Sequence, residues 1–178
     1  MTAGDMKSFA LLFACTFALI ASASAQIIKG PAHFADIPWG VPKAELKARF
    51  SLREGVKFET DVPKLSKTVY VGGNLSGYNV TKWHFWFNGD KFGEAMAEFM
   101  KSEAAFPDLK QKLTAQYGDP KTQKTKRNEA VIVWEFPASG KVGATKIFLQ
   151  VKRDDQVRLI YRNLQIRDSV ASGIDTDL

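Results

Sequence analysis

Val80-Thr-Lys-Trp-His-Phe-Trp-Phe-Asn-Gly-Asp90 decides the architecture of this chain. Its alternation puts Trp83, Phe85 and Phe87 on one face and Lys82, His84 and Trp86 on the other, which is the period of a β-strand. Asn88-Gly89-Asp90 then supplies a hairpin turn, so Phe92 to Met100 is expected to return as the antiparallel partner. Ala, Met and Glu favour helix there, and Phe92, Met96 and Phe99 also fit a helical face. The Asn-Gly turn directly after an aromatic strand decides for a strand.

Downstream, Pro107-Asp-Leu-Lys-Gln-Lys-Leu-Thr-Ala-Gln-Tyr117 is a helix. Proline suits its first turn, Asp108 faces the positive end of the dipole, and Leu109, Leu113 and Tyr117 share a face. Gly118 ends it and Pro120 forbids continuation. Three strands follow, Val131 to Phe136, Thr145 to Lys152 and Val157 to Leu164. Upstream, Pro42 heads a short helix over Lys43 to Phe50, with Leu46 and Phe50 on one face. Lys67 to Val71 is a strand and Gly72-Gly73-Asn74 a turn. The expected fold is α+β, an antiparallel sheet of about six to seven strands with two helices on one face. Each helix opens a similar unit, which suggests two similar halves, although no residue-level repeat is visible. One domain is expected over 26–166, with a polar, fraying tail over 167–178.

The chain opens with an apolar run, Phe9 to Ala21, behind Lys7, and Ala23-Ser24-Ala25 closes it. This is the pattern of an export signal cut near Ala25. Leu12-Phe-Ala-Cys15 is a weak match to a lipid-attachment site, because Phe13 stands where a small residue is usual. Without the leader no cysteine remains, which excludes a disulfide framework, a thiolate metal site and a cysteine nucleophile. The net charge is +6 with a pI near 9.4. Losing Lys7 and Asp5 together leaves that balance unchanged. Outside the cytoplasm the available anions are lipid headgroups, acidic polysaccharides and acidic proteins, so a nucleic acid does not follow from charge.

Catalytic patterns are sparse. His33 and His84 lie too far apart for a helical zinc motif, and no GxSxG, P-loop or Rossmann fingerprint occurs. Neither a metal nor a cofactor is expected. Glu94 and Glu98 would be about 13 Å apart along a strand but neighbours on a helix, and acid/base work on glycosides needs roughly 5 to 9.5 Å. Asp154-Asp155 makes a turn. Asn74-Leu-Ser76 and Asn79-Val-Thr81 match the glycosylation pattern, which matters only in a eukaryotic product. Gly72-Gly73 with Gly77 fits a hairpin connection better than an anion nest.

The last hairpin carries the candidate site. A three-residue loop at Asp154-Asp155-Gln156 sets Lys152 opposite Arg158 and buries Ile147, Leu149 and Val151 with Leu159 and Tyr161. The other face then gathers Lys146, Lys152, Arg158 and Arg162 around Phe148 and Ile160. Facing like charges there are mildly unfavourable, which points to an anionic partner. The loop Lys121-Thr-Gln-Lys-Thr-Lys-Arg127 extends the patch. Trp86 is a candidate anchor for a protein partner.

Trp39-Gly40, the Phe-rich strand ending at Gly89, Leu109-x3-Leu113-x3-Tyr117-Gly-x-Pro120 and the Trp134 strand resemble small exported bacterial proteins of unknown function. The order of elements is also distantly similar to β-lactamase inhibitor proteins and to small lipoproteins of outer-membrane assembly. Those likenesses imply protein binding rather than catalysis. The expectation is therefore an exported, non-enzymatic envelope binding or accessory protein engaging an anionic envelope component or acidic protein, with peripheral membrane contact open to it. An inhibitor or chaperone-like adaptor using the aromatic strand is the alternative, and a carboxylate-based hydrolase the third reading.

Overall fold

The computed structural model describes residues 29–99, 105–126, 129–152 and 156–167; the leader, Cys15 and residues 168–178 of the tail lie outside them. A small arm of β1 (His33–Phe34) and β2 (Ile37–Pro38) leads into α1 (Lys43–Phe50). Then come β3 (Val56–Val62), β4 (Lys67–Gly72), β5 (Asn74–Leu75), β6 (Tyr78–Asn88) and β7 (Lys91–Phe99). The second half consists of α2 (Ala105–Tyr117), β8 (Thr122–Lys126), β9 (Glu129–Phe136), β10 (Thr145–Val151) and β11 (Val157–Asn163), closed by the short α3 (Leu164–Arg167).

The main sheet is nine-stranded and antiparallel, in the order β3-β4-β6-β7-β11-β10-β9-β8, with β5 paired to β6 off that path. Each half is thus a helix followed by a four-stranded meander. The two halves meet through their last strands, β7 and β11, so the strand order mirrors itself about the seam.

One face of the sheet carries the main core. Leu46 and Phe50 of α1 and Leu109 and Leu113 of α2 pack with Trp83, Phe85, Phe87, Ile147 and Leu159. The Phe50 ring meets Tyr70, Trp83 and Phe85 edge-on at 4.6–5.1 Å. A buried indole needs a partner for its N–H. Trp83 donates to the Gly72 carbonyl at 2.7 Å and Trp134 to the Gly118 carbonyl at 2.9 Å. Pro42 has no side chain with which to cap α1. Asp90, in the β6–β7 turn, does so instead, its carboxylate accepting from the Lys43 N–H at 3.0 Å.

The α+β class, both longer helices and the strand over 92–99 are as the sequence indicates, but the sheet is larger than expected. Segment 121–127, expected as a solvated loop, contains the edge strand β8. Lysines at 124 and 126 disguise it, as is common where an edge must resist further pairing. Val56–Val62 adds β3 at the opposite edge. Arg167, expected at the head of a fraying tail, ends α3 and is buried. The last hairpin also differs in register. Gln150, not Lys152, faces Arg158, and Val151 faces Val157, so the connection is two residues longer than predicted.

Candidate functional site

The pleat turns alternate residues to the face opposite the helices, and there the register aligns them in rows across the strands. The central row runs Thr60, Val69, His84, Met96, Ile160, Phe148, Val133. Two residues along every strand, about 7 Å away, one flanking row runs Lys67, Trp86, Glu94, Arg162, Lys146, Glu135. The row on the other side runs Val71, Lys82, Glu98, Arg158, Gln150, Val131, Lys124. An apolar stripe therefore lies between two charged ones.

Trp86, Met96, Val131, Phe148 and Ile160 form a second core with Val133, and neither α1 nor α2 contributes to it. Its cover is made of basic side chains. The Lys67 ammonium lies 5.6 Å from the Trp86 ring centre and the Arg162 guanidinium 5.2 Å from that of Phe148. His84 stacks on Trp86 at 5.6 Å. Lys67 thus covers part of the stripe with its stem, whereas the guanidinium over Phe148 is itself buried with Arg162.

Three carboxylates are set into this layer. Glu94 is wholly buried, and its Oε2 accepts from Arg162 Nε at 2.6 Å and Arg167 Nε at 3.1 Å. Two guanidiniums on one carboxylate leave an excess positive charge. Arg162 Nη2, Arg167 Nη1 and Glu94 Oε1 have no hydrogen-bond partner. Gly93 permits the approach of α3, since a Cβ there would sit 2.7 Å from Ile166 Cγ2. Glu98 accepts from Arg158 Nε at 3.0 Å and lies 3.3 Å from His84 Nε2. Burial alone would raise the Glu98 carboxyl, but His84 and Arg158 more than offset it and hold it below 4.5. Glu135 bridges Lys121 at 2.8 Å and Lys146 at 2.7 Å, and these two lysines lower its carboxyl.

Lys146, Arg158, Arg162 and Trp86, singled out from sequence, share this face. Lys152 lies beyond the end of β10, its N–H donating to the Gln156 carbonyl at 3.2 Å, and does not oppose Arg158. The supposed clash of like charges is replaced by the pairing of Arg158 with Glu98 across β7. Sequence reasoning missed Glu98, Glu135 and Arg167 as members of this layer. The alternation of Glu94, Met96 and Glu98 was the available signal for β7, once that segment is taken as a strand.

On β7 the two glutamates are four residues apart, about 13 Å, and each is engaged by arginine. That spacing exceeds the roughly 5 to 9.5 Å of paired glycosidase carboxylates. Among the described residues no cluster of three or more His, Cys, Asp or Glu side chains could hold a metal ion. No helix among them is long and apolar enough to cross a membrane. Comparison with protein-family models, with curated proteins and with solved structures gave no match.

Proposed function

We propose that this protein is an exported binding or accessory protein that engages an acidic protein surface through the face of its sheet opposite α1 and α2. The observation that carries the reading is the layering of that face, an apolar stripe shielded by cations whose positions neighbouring carboxylates fix. Pinned guanidiniums and ammoniums recognise charge at defined spacings, which suits a structured partner better than a fluid lipid surface. The bases outnumber the acids along both flanking rows, so the face attracts an anion while its own ion pairs set the register. Trp86 and Phe148 beneath the cations would supply contact area once a partner displaces them. An export leader cut near Ala25 would put this encounter in the cell envelope or beyond. The distant similarity in element order to β-lactamase inhibitor proteins and small outer-membrane-assembly lipoproteins is consistent with protein binding.

Two variants of equal charge change test the reading. Lys82→Glu/Lys124→Glu alters this face, whereas Arg49→Glu/Lys141→Glu alters exposed sites on α1 and in the β9–β10 connection. On immobilised poly-glutamate the first pair should elute at distinctly lower salt than the wild type and the second should elute close to it. Equal elution of the two variants rejects the face as the site. Tighter binding to phosphatidylglycerol vesicles than to the acidic polypeptide would replace the protein partner by a membrane.

A further inference from the structure

The helix-covered side of the sheet holds a separate feature, independent of the proposed docking face. Eight strands at about 4.8 Å spacing span nearly 40 Å, whereas two helices about 10 Å wide cover only half of that. Each helix sits over its own half, and the space between them above β11 is bridged by the N-terminal arm. Phe34 of that arm inserts beside Tyr161 at 5.2 Å and Phe85 at 6.1 Å. It does not fill the gap. A cavity of about 200 Å³ remains, floored by Leu159 and Tyr161 and walled by Phe34, Leu75, Leu113 and Tyr117.

Phe34, Leu75, Leu109, Leu113 and Leu159 make the apolar part of the lining, and His33, Ser76, Lys112, Gln116 and the two tyrosines the polar part. Burial pushes the phenols of Tyr117 and Tyr161 above 10, so both stay protonated. Tyr117 and Tyr161 both line the cavity, each keeping its phenolic proton. A neutral phenol can donate one hydrogen bond as well as accept, so Tyr117 has a proton to offer an acceptor inside the cavity. Lys112, at the rim, is engaged by Asp108 at 2.8 Å and by the Ser76 carbonyl at 3.0 Å. Its charge is thereby balanced.

We infer that this cavity binds a small uncharged aromatic molecule carrying one carbonyl, with the ring among Phe34, Leu113 and Leu159 and the carbonyl accepting from the Tyr117 hydroxyl. An apolar cavity of about 150 Å³ already accommodates benzene, so a substituted single ring fits the volume. A carboxylate is disfavoured, because Lys112 is already paired with Asp108 and both phenols stay protonated, which leaves only the exposed His33 to face it.

Benzamide, toluene and benzoate serve as probes, titrated into the purified protein and followed by the methyl resonances of Leu113 and Leu159. Benzamide should bind saturably, toluene roughly three- to tenfold more weakly for want of the hydrogen bond, and benzoate more weakly than benzamide. Tyr117→Phe should erase the preference for benzamide over toluene, and Leu113→Phe, which fills the space, should weaken all three. Contacts from the benzamide ring to the Leu113 and Leu159 methyls in the wild-type protein supply a test that needs no variant. No saturable shift with any probe, benzoate binding tighter than benzamide, or an unaltered preference in folded Tyr117→Phe overturns the inference.

Discussion

The two faces of the central sheet bury comparable side chains by different means. Towards the helices, Trp83, Phe85 and Phe87 of β6 are closed in by Leu46, Phe50 and other apolar groups. Behind them, Trp86 of the same strand lies under Lys67 and stacks on His84. The first arrangement is a dry core whose cohesion is dispersion and the hydrophobic effect. The second is an amphipathic shell in which cations lie against the rings of Trp86 and Phe148. A single strand thus builds a structural face and a recognition face at once, through nothing more than alternation.

The largest expected effects come from breaking each face by its own means. Phe85→Ala should cost about 3–5 kcal/mol by chemical denaturation, because the closed core cannot collapse around the loss. Phe148→Ala on the other face should cost less than half as much. Glu94→Ala should rival the core truncation at about 3–5 kcal/mol, since it strands two buried guanidiniums. Replacing the cluster as a whole, Glu94→Leu with Arg162→Met and Arg167→Leu, should recover most of that loss while weakening retention on poly-glutamate. Recovery of stability without loss of retention would separate the cluster from binding.

Acid should act on both faces. Glu98 has a depressed folded pKa, so its contribution is complete above about 4.5 and fades as pH falls through the lower folded value. Asp61 behaves alike. Burial opposes its ionisation, but Thr68, Lys43 and Lys47 hydrogen-bond the carboxylate and bring it down to about 2, so its share is lost between 3.8 and about 2. Arg158→Gln should therefore flatten the acid limb of a stability-against-pH curve, and Phe85→Leu should shift the whole curve without changing its slope. The smallest effect is expected for Lys82→Glu/Lys124→Glu, within about 0.5 kcal/mol per site in stability. Those substitutions should act on salt-dependent association alone.

Alternation made much of this legible. Strand β6 and the division of its residues between faces follow from period two, and the Asn-Gly turn correctly outweighed the helical propensity of Phe92–Phe99. Registers were harder. Shifting the last hairpin by two residues leaves every side chain on its original face, so agreement of apolar positions cannot detect the shift. What fixes it is Arg158 meeting Glu98, residues 60 positions apart. Strand β8 escaped for another reason, because Thr122-Gln-Lys-Thr-Lys126 has the composition of a solvated loop. Arg167 was unreadable for want of its partner, since nothing local announces that Glu94 will be sealed and require a second guanidinium.

The mirrored order of strands about β7 and β11 has a kinetic corollary. Within each half, successive pairings join strands close in sequence, so the helix and its meander can assemble from local encounters at little entropic expense. Only the seam requires distant segments to find one another. Two early-forming modules that dock late would leave the edges of β7 and β11 transiently open, and it is there, in a crowded compartment, that exchange of halves between molecules would begin.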